Sequence, residues 1–413
     1  LSASLREDAE RTMKDDTVSQ AVTCATVTLE LGIDIGRLDR VAQMGAPTTV
    51  SGFLQRLGRS GRRGSPPEMI MVYREETPLP NAPLPELIPW ELLRGIGIIE
   101  LYSTERFIEP PRVKKMPLSL AFHQTLSTVF SSGELTPKAL AERVLSLPPL
   151  STLGRETYRA LLVSMINNEF LEMTETRGLI VGLKGERLLN SFKFYAVFKD
   201  SEDYTVRCDG EEIGTITTPP PVGDRFALAG RVWEVKEVDL PSKLIFVKSV
   251  DGKMEISWPG DSGEIHTKLL LAMRDVLFNG KEYPFLGDNA RERLDNARRV
   301  AKNARMNENM LVFLGGQSYV LFPWLGTRSF RTLRRFLQKY APELGISDIQ
   351  SEGCCYITFK AKADSGKNLL FNIRDILERD GLDTFSLVNE GECPVFDKFD
   401  EYIPPELLRD AYA

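Results

Sequence analysis

Four prolines fall within the nine residues Thr77-Pro-Leu-Pro-Asn-Ala-Pro-Leu-Pro85, and neither a helix nor a central strand can run through them. Proline lacks the amide that both ladders need, and its ring collides with the preceding helical turn. The run reads as a linker. Upstream of it, Arg40-Val-Ala-Gln-Met44 and Glu68-Met-Ile-Met-Val-Tyr73 read as strands. Residues 20–26 read as a further short buried strand, residues 49–59 as a helix and residues 5–15 as a polar surface helix. Strands alternating with helices predict a parallel α/β layer.

Downstream, residues 86–189 are mostly helical in pattern. Thr136 followed by Pro137 is a helix start, and a second helix over 155–168 leads into a Leu179-Ile-Val-Gly182 hairpin. Helix, helix and hairpin in that order predict a winged helix. From Phe192 the period changes to two, in short alternating runs such as Tyr204-Thr-Val-Arg, Val232-Trp-Glu-Val and Leu244-Ile-Phe-Val-Lys. Gly, Pro and Asp turns separate them, predicting an antiparallel β-barrel or sandwich. The last part offers a basic helix over 289–307, strands near Met310 and Tyr319, a helix over 329–340, a strand over 355–360 and a helix over 369–379. That is a small α+β domain. The expectation is a multidomain α/β and α+β chain with domains at 1–80, 81–190, 191–288 and 289–413.

At 413 residues the chain is too long for one ordinary domain, and with 42% hydrophobic and 27% charged residues it can bury ordinary cores. No apolar run approaches the roughly 20 residues that span a bilayer. The start at Leu1 shows no secretory pattern and reads as a cut inside a larger protein. The five cysteines form no CxxC pair and the only histidines are His123 and His266, which argues against structural zinc and against a disulfide framework. A reducing cytoplasm is the expected compartment. The net charge of −6 disfavours nucleic acid if read globally. Binding follows local fields, however, and two stretches are locally basic. Arg56, Arg59, Arg62 and Arg63 form one; Arg328, Arg331, Arg334, Arg335 and Lys339 form the other.

The chemistry lies in Ala25-Thr26-Val-Thr-Leu-Glu30-Leu-Gly32-Ile-Asp34-Ile-Gly36, followed by Gln55-Arg56-Leu-Gly58-Arg59-Ser-Gly61-Arg62. Gln55, Arg59 and Arg62 are four and three residues apart, the spacing of one helical face. Gly58 and Gly61 clear that face for something large to approach. Such a face suits polyphosphate, because guanidinium is planar, permanently charged and bonds phosphate oxygens in pairs. A single arginine there is more often a solvated helix end. The joint pattern, one strand and one loop after a Gly-Ile-Asp turn, favours phosphate.

These segments resemble motifs V and VI of DEAD/DEAH-type superfamily 2 helicases, and their form is most similar to the large helicase-related (Lhr) family. A weaker likeness to that family runs through Phe226-Ala-Leu-Ala-Gly-Arg-Val-Trp233-Glu-Val, Ile256-Ser-Trp258-Pro-Gly260, and Tyr319-Val-Leu-Phe-Pro-Trp324 with the arginine helix after it. The resemblance implies that residues 1–80 are most of a second RecA-like domain. It implies that Arg59 and Arg62 are arginine fingers reaching the γ-phosphate of ATP across a cleft, and that Gln55 senses that phosphate or the attacking water. Asp34 would bond a ribose hydroxyl or hold the fingers ready, with Gly32, Glu30 and Arg56 also on the nucleotide side. Thr26 and Thr28 would hold strand phosphates, as would Ser4, although Ala3 replaces the glycine of the family's segment. The resemblance further implies 3′-to-5′ translocation on single-stranded DNA or an RNA–DNA hybrid, unwinding of duplexes, and a place in DNA repair.

No Gly-x-x-x-x-Gly-Lys-Ser/Thr and no Asp-Glu-x-His after an apolar strand occurs, so Mg²⁺ and the β-phosphate would be held by a missing N-terminal RecA-like half. The chain by itself is expected not to hydrolyse ATP. Single strands are gripped by basic grooves and stacking aromatics. Trp233 alternates with strand residues and reads as core, and Trp90 as a domain-junction residue. Trp258, before Pro259-Gly260 in a polar loop, is the first choice for stacking a base, and Trp324, beside Gly326, the second. Arg331, Arg334 and Arg335 could meet phosphates or form a solvated face. Two rival readings stand beside this one: a separate non-enzymatic winged-helix and barrel module, and another superfamily 2 motor such as a restriction translocase.

Overall fold

The computed structural model describes residues 11–13, 22–24, 38–61, 66–111, 116–198, 204–216, 225–229, 231–239, 242–250, 264–382, 385–387 and 397–412. The chain forms two compact units, each of two stretches: Leu1–Pro110 with Ile256–Gly381, and Pro111–Glu255 with Leu382–Ala413.

Unit 1 opens with β1 (Val41–Met44), α1 (Val50–Leu57) and β2 (Met69–Val72). The strands pair in parallel, Val41 opposite Met69, as neighbours joined by a crossover helix do. Of the strand expected over 20–26, residues 22–24 are described; they lie in no strand, and Val22 is 95% exposed. Of the helix expected over 5–15, residues 11–13 are helical and the rest lies outside the described residues. The proline run lies inside unit 1, where Leu84–Leu87 makes a 3-10 turn before α2 (Trp90–Glu105). Glu75 Oε1 accepts from the amides of Glu91 and Leu92, which open α2. Burial raises the Glu75 carboxyl above its ordinary range against the lowering pull of those two donors.

In unit 2, α3 (Leu118–Ser132), α4 (Pro137–Leu145) and α5 (Arg155–Asn167) precede the hairpin of β3 (Leu171–Met173) and β4 (Leu179–Val181), then α6 (Leu183–Leu189). Thr136 caps α4 through the Ala139 amide with Pro137 in the first turn, as the spacing predicts. Then β5 (Tyr204–Cys208), β6 (Glu211–Ile216), β7 (Arg225–Leu228), β8 (Arg231–Asp239) and β9 (Leu244–Val250) form a five-stranded sheet in the order β6-β5-β9-β8-β7. This corrects the antiparallel barrel in two respects. The β5–β9 pairing is parallel, and among the described residues the sheet is open, with β6 and β7 at its edges. A period of two identifies a strand without fixing its partner or direction. Trp233 is in the core, as expected, its indole N–H donating to the Leu228 carbonyl.

The chain re-enters unit 1 with α7 (Thr267–Phe278) and α8 (Asp288–Asn303), followed by β10 (Leu311–Gly315), β11 (Ser318–Leu321), α9 (Thr327–Lys339) and α10 (Ala341–Leu344). Next come β12 (Ile346–Glu352), β13 (Tyr356–Ala361), α11 (Ala363–Lys367) and α12 (Leu369–Asp380). Their four strands form an antiparallel sheet ordered β10-β11-β13-β12. The final helix, α13 (Pro405–Tyr412), belongs to unit 2, where Phe399, Ile403 and Leu408 share one core with Phe122, Leu126 and Tyr158. The whole is a mixed α/β chain with several small sheets. Among the described residues no helix is long and apolar enough to cross a membrane.

Candidate functional site

The described part of the chemistry-bearing segment centres on α1. Eight residues are too few for an isolated helix, so its stability must come from caps and packing. Thr49 takes extended backbone angles at the N-cap, and its hydroxyl accepts from the Gly52 amide at 3.0 Å. The two preceding amides go to one carboxylate: Val50 N–H donates to Glu109 Oε1 at 2.7 Å and Ser51 N–H to Oε2 at 3.0 Å. Val50 and Phe53 are buried, and the Phe53 ring meets the Tyr102 ring of α2 edge-on at 6.4 Å.

At its other end α1 stops short of Arg59. Gly58 is the C-cap, and the amides of Arg59 and Ser60 bond three residues back, to Arg56 and Leu57. Ser60, only 4% exposed, bridges this turn to β2: its hydroxyl donates toward the Leu57 or Glu68 carbonyl and accepts from the Glu68 amide. Gly61 leaves helical space altogether, with φ +70°, and its amide bonds the Leu38 carbonyl. A Cβ at Gly61 would lie 2.3 Å from the Pro67 nitrogen. The large neighbour that this glycine admits is therefore the chain's own backbone, a correction to reading it as clearance for a ligand. The single helical face expected for Gln55, Arg59 and Arg62 covers Gln55 and, through a tightened turn, Arg59.

The structure thus brings Gln55, Arg56 and Arg59 together. Gln55 is exposed, Arg59 is half-buried, and Arg56 donates from Nη1 to Gln43 Oε1 of β1 at 2.9 Å. Arg62, Ser4, Thr26, Thr28, Glu30, Gly32, Asp34 and Trp258 lie outside the described residues. Sequence reasoning missed Thr49, Ser60 and Glu109. A polar residue before an apolar helical start could have flagged Thr49, whereas Glu109 lies 59 positions from its partner and leaves no local signal.

The strand-gripping candidates divide. Arg331, Arg334 and Arg335 are exposed on α9, whose other face buries Phe330, Phe336 and Leu337. Arg328 is engaged by Glu264 at 2.8 Å. Trp324 is corrected from a stacking position to a core one. It is 2% exposed, with ring centroids 5.9 Å from Trp90 and 6.4 Å from Phe322, which leaves no ring face for a base. Its φ of +53° turns the indole inward, and its indole N–H has no hydrogen-bond partner. Trp90 shares that aromatic cluster and donates to the Pro85 carbonyl. Among the described residues no group of three or more His, Cys, Asp or Glu side chains could hold a metal ion.

Residues 1–64 match the family described as helicase conserved C-terminal domain. The ATP-dependent helicase Lhr-Core of Saccharolobus solfataricus is 39% identical over 263 residues, 57% of this chain and 26% of that protein. That of Methanothermobacter thermautotrophicus is 41% identical over 252 residues, 56% of this chain and 27% of that protein. Over more than half of its length the chain is therefore similar to Lhr-type superfamily 2 helicases. It spans about a quarter of the length of these two Lhr relatives, within which α1 falls in the matched helicase segment. The structure of Mycobacterium smegmatis helicase Lhr bound to ssDNA and AMP-PNP shares the fold, with a TM-score of 0.53 at 18% identity over 89% of this chain and 46% of that one.

Proposed function

We propose that this chain is part of an ATP-dependent DNA helicase and supplies one side of its ATP site. The observation that carries the reading is a short helix, capped at all three first-turn amides, with Arg56 in its last turn and Arg59 in the turn just beyond it, inside the segment matching the helicase C-terminal domain. Arg59, with Arg62, stabilises charge developing on the γ-phosphate during transfer to water, an effect of roughly 10³–10⁵ in rate in comparable enzymes. Gln55 orients the attacking water or senses the γ-phosphate. Asp34, Gly32, Glu30 and Arg56 line the nucleotide, and Thr26, Thr28 and Ser4 hold strand phosphates. Mg²⁺ and the β-phosphate are held by a phosphate-binding RecA-like domain outside these residues, so the chain alone does not turn over ATP.

Single-stranded DNA is the proposed partner, in keeping with the ligand of the mycobacterial relative, and an RNA–DNA hybrid is the variant. Residues 1–80 act as part of the second RecA-like domain, 81–190 as a winged helix, 191–288 as a barrel-type module carrying Trp258 for base stacking, and 289–413 as a basic α+β domain. Translocation is 3′ to 5′, in service of DNA repair. The exposed arginines of α9 favour a second reading, a strand-binding module without a motor. The assignments are tested when the purified chain is titrated with fluorescent single-stranded DNA across a salt series and assayed for ATP hydrolysis in the same tubes, and the non-motor reading is excluded if Arg59→Ala in the full-length protein abolishes ATP turnover. Salt-sensitive binding without hydrolysis is expected. No binding at low salt would remove the strand-gripping assignments, and hydrolysis by the chain alone would overturn the half-site assignment.

A further inference from the structure

The Glu109 carboxylate accepts the first two amides of α1 from a position well outside the helicase motifs, immediately before Pro110-Pro111, where the chain leaves unit 1. The path that brings it there is built. Arg106, at the end of α2, adopts φ +52° and turns the chain back, its guanidinium 4.9 Å above the Tyr102 ring. Tyr102 in turn packs on Phe53 of α1. Phe107 is held between the His266 ring, at 5.3 Å, and the Lys268 ammonium, at 4.7 Å. Lys268 also forms an ion pair with Glu105. His266 and Lys268 belong to the stretch that re-enters unit 1 after Ile256. The Pro110–Pro111 connection, one of three between the units, thus follows directly on this cluster of side chains, and the cluster leads to the N-terminus of the arginine helix.

A carboxylate using both oxygens on consecutive first-turn amides does more than neutralise a helix end. Two charge-assisted bonds fix the helix start in translation and in rotation about its axis. A rotation of α1 would move Gln55 and the Arg59 turn together, because all of them are anchored to the same eight-residue rod.

We infer that Glu109 is a positioning residue that sets the register of the arginine helix, holding Gln55 and Arg59 in place for ATP turnover. This rests on the proposed ATP-site reading. Glu109 touches no nucleotide in this role; it acts through α1.

The test uses Glu109→Ala, Glu109→Gln and Arg59→Ala in the full-length protein. Each is measured for ATP kcat and KM with and without single-stranded DNA, and for its melting midpoint. For Glu109→Ala the strand-stimulated kcat should fall about tenfold, with KM for ATP within about twofold of the parent and the midpoint essentially unmoved. Glu109→Gln, which keeps one acceptor oxygen, should recover part of the loss. A stimulated kcat in Glu109→Ala within about twofold of the parent would overturn the inference. So would a fall in the midpoint accompanied by joint loss of kcat and KM with no recovery in the Gln variant, since that describes a structural cap only. If Arg59→Ala is impaired while Glu109→Ala is normal, the positioning role alone is lost. If Arg59→Ala is normal, the ATP-site reading is lost with it.

Discussion

Two arginine-bearing helices of unit 1 are built on different principles. The first, α1, has eight residues, three first-turn amides fixed by the side chains of Thr49 and Glu109, and its arginines at or just beyond its C-terminal end. The second, α9, has thirteen residues, no side-chain cap at Gly326, and arginines spread along an exposed face opposite Phe330, Phe336 and Leu337. In α1 the arginines are located by backbone anchors, so each occupies a defined point. In α9 they are located by amphipathicity, which fixes the face that is charged. A defined point suits charge stabilisation in a transition state, and a charged face suits grip on a polyanion whose register changes.

The contrast breaks most sharply at Arg59. Its replacement by Ala in the full-length protein should lower strand-stimulated ATP turnover by about 10³ or more with strand affinity nearly unchanged, measured by steady-state hydrolysis beside DNA titration. Replacing Arg331, Arg334 and Arg335 together by Ala should do the opposite. Strand affinity at low salt should fall by about 100-fold, and the dependence of log K on log salt should flatten by about 2, while turnover at saturating DNA holds. Loss of turnover at saturation in that triple variant would mean that α9 also serves the chemistry. The smallest effect is expected at the cap. Thr49→Ala should destabilise α1 by about 1 kcal/mol, seen as earlier amide exchange at Gly52 with little change at α9.

Much of this frame was legible in the sequence where a local signal exists. The strands around Val41 and Met69 and the helix between them follow from apolar pattern and turn residues, and the parallel pairing follows from their alternation. The Thr136-Pro137 helix start was legible because a cap and its proline are adjacent. Non-local features were not. Glu109 reaches its amides across 59 positions, and Gly61 is demanded by Pro66-Pro67, which pack back on it. Trp324 looked exposed beside Gly326 and a basic helix, yet a left-handed backbone turn carries it into a cluster with Trp90 and Phe322. The basic helix α8 carries a further non-local contact. Arg298 donates to the carbonyls of Val276, in the last turn of α7, and of Lys281 just beyond it, which no local pattern signals. The parallel β5–β9 pair was invisible because alternation is the same for either direction.

The most direct test is strand-stimulated ATP turnover at saturating single-stranded DNA for two full-length variants, Arg59→Ala and the Arg331, Arg334, Arg335 triple. The expected result is near-parental kcat for the triple variant and a collapse of kcat for Arg59→Ala that no DNA concentration restores. Turnover by Arg59→Ala within a few-fold of the parent would contradict the assignment of α1 to the ATP site.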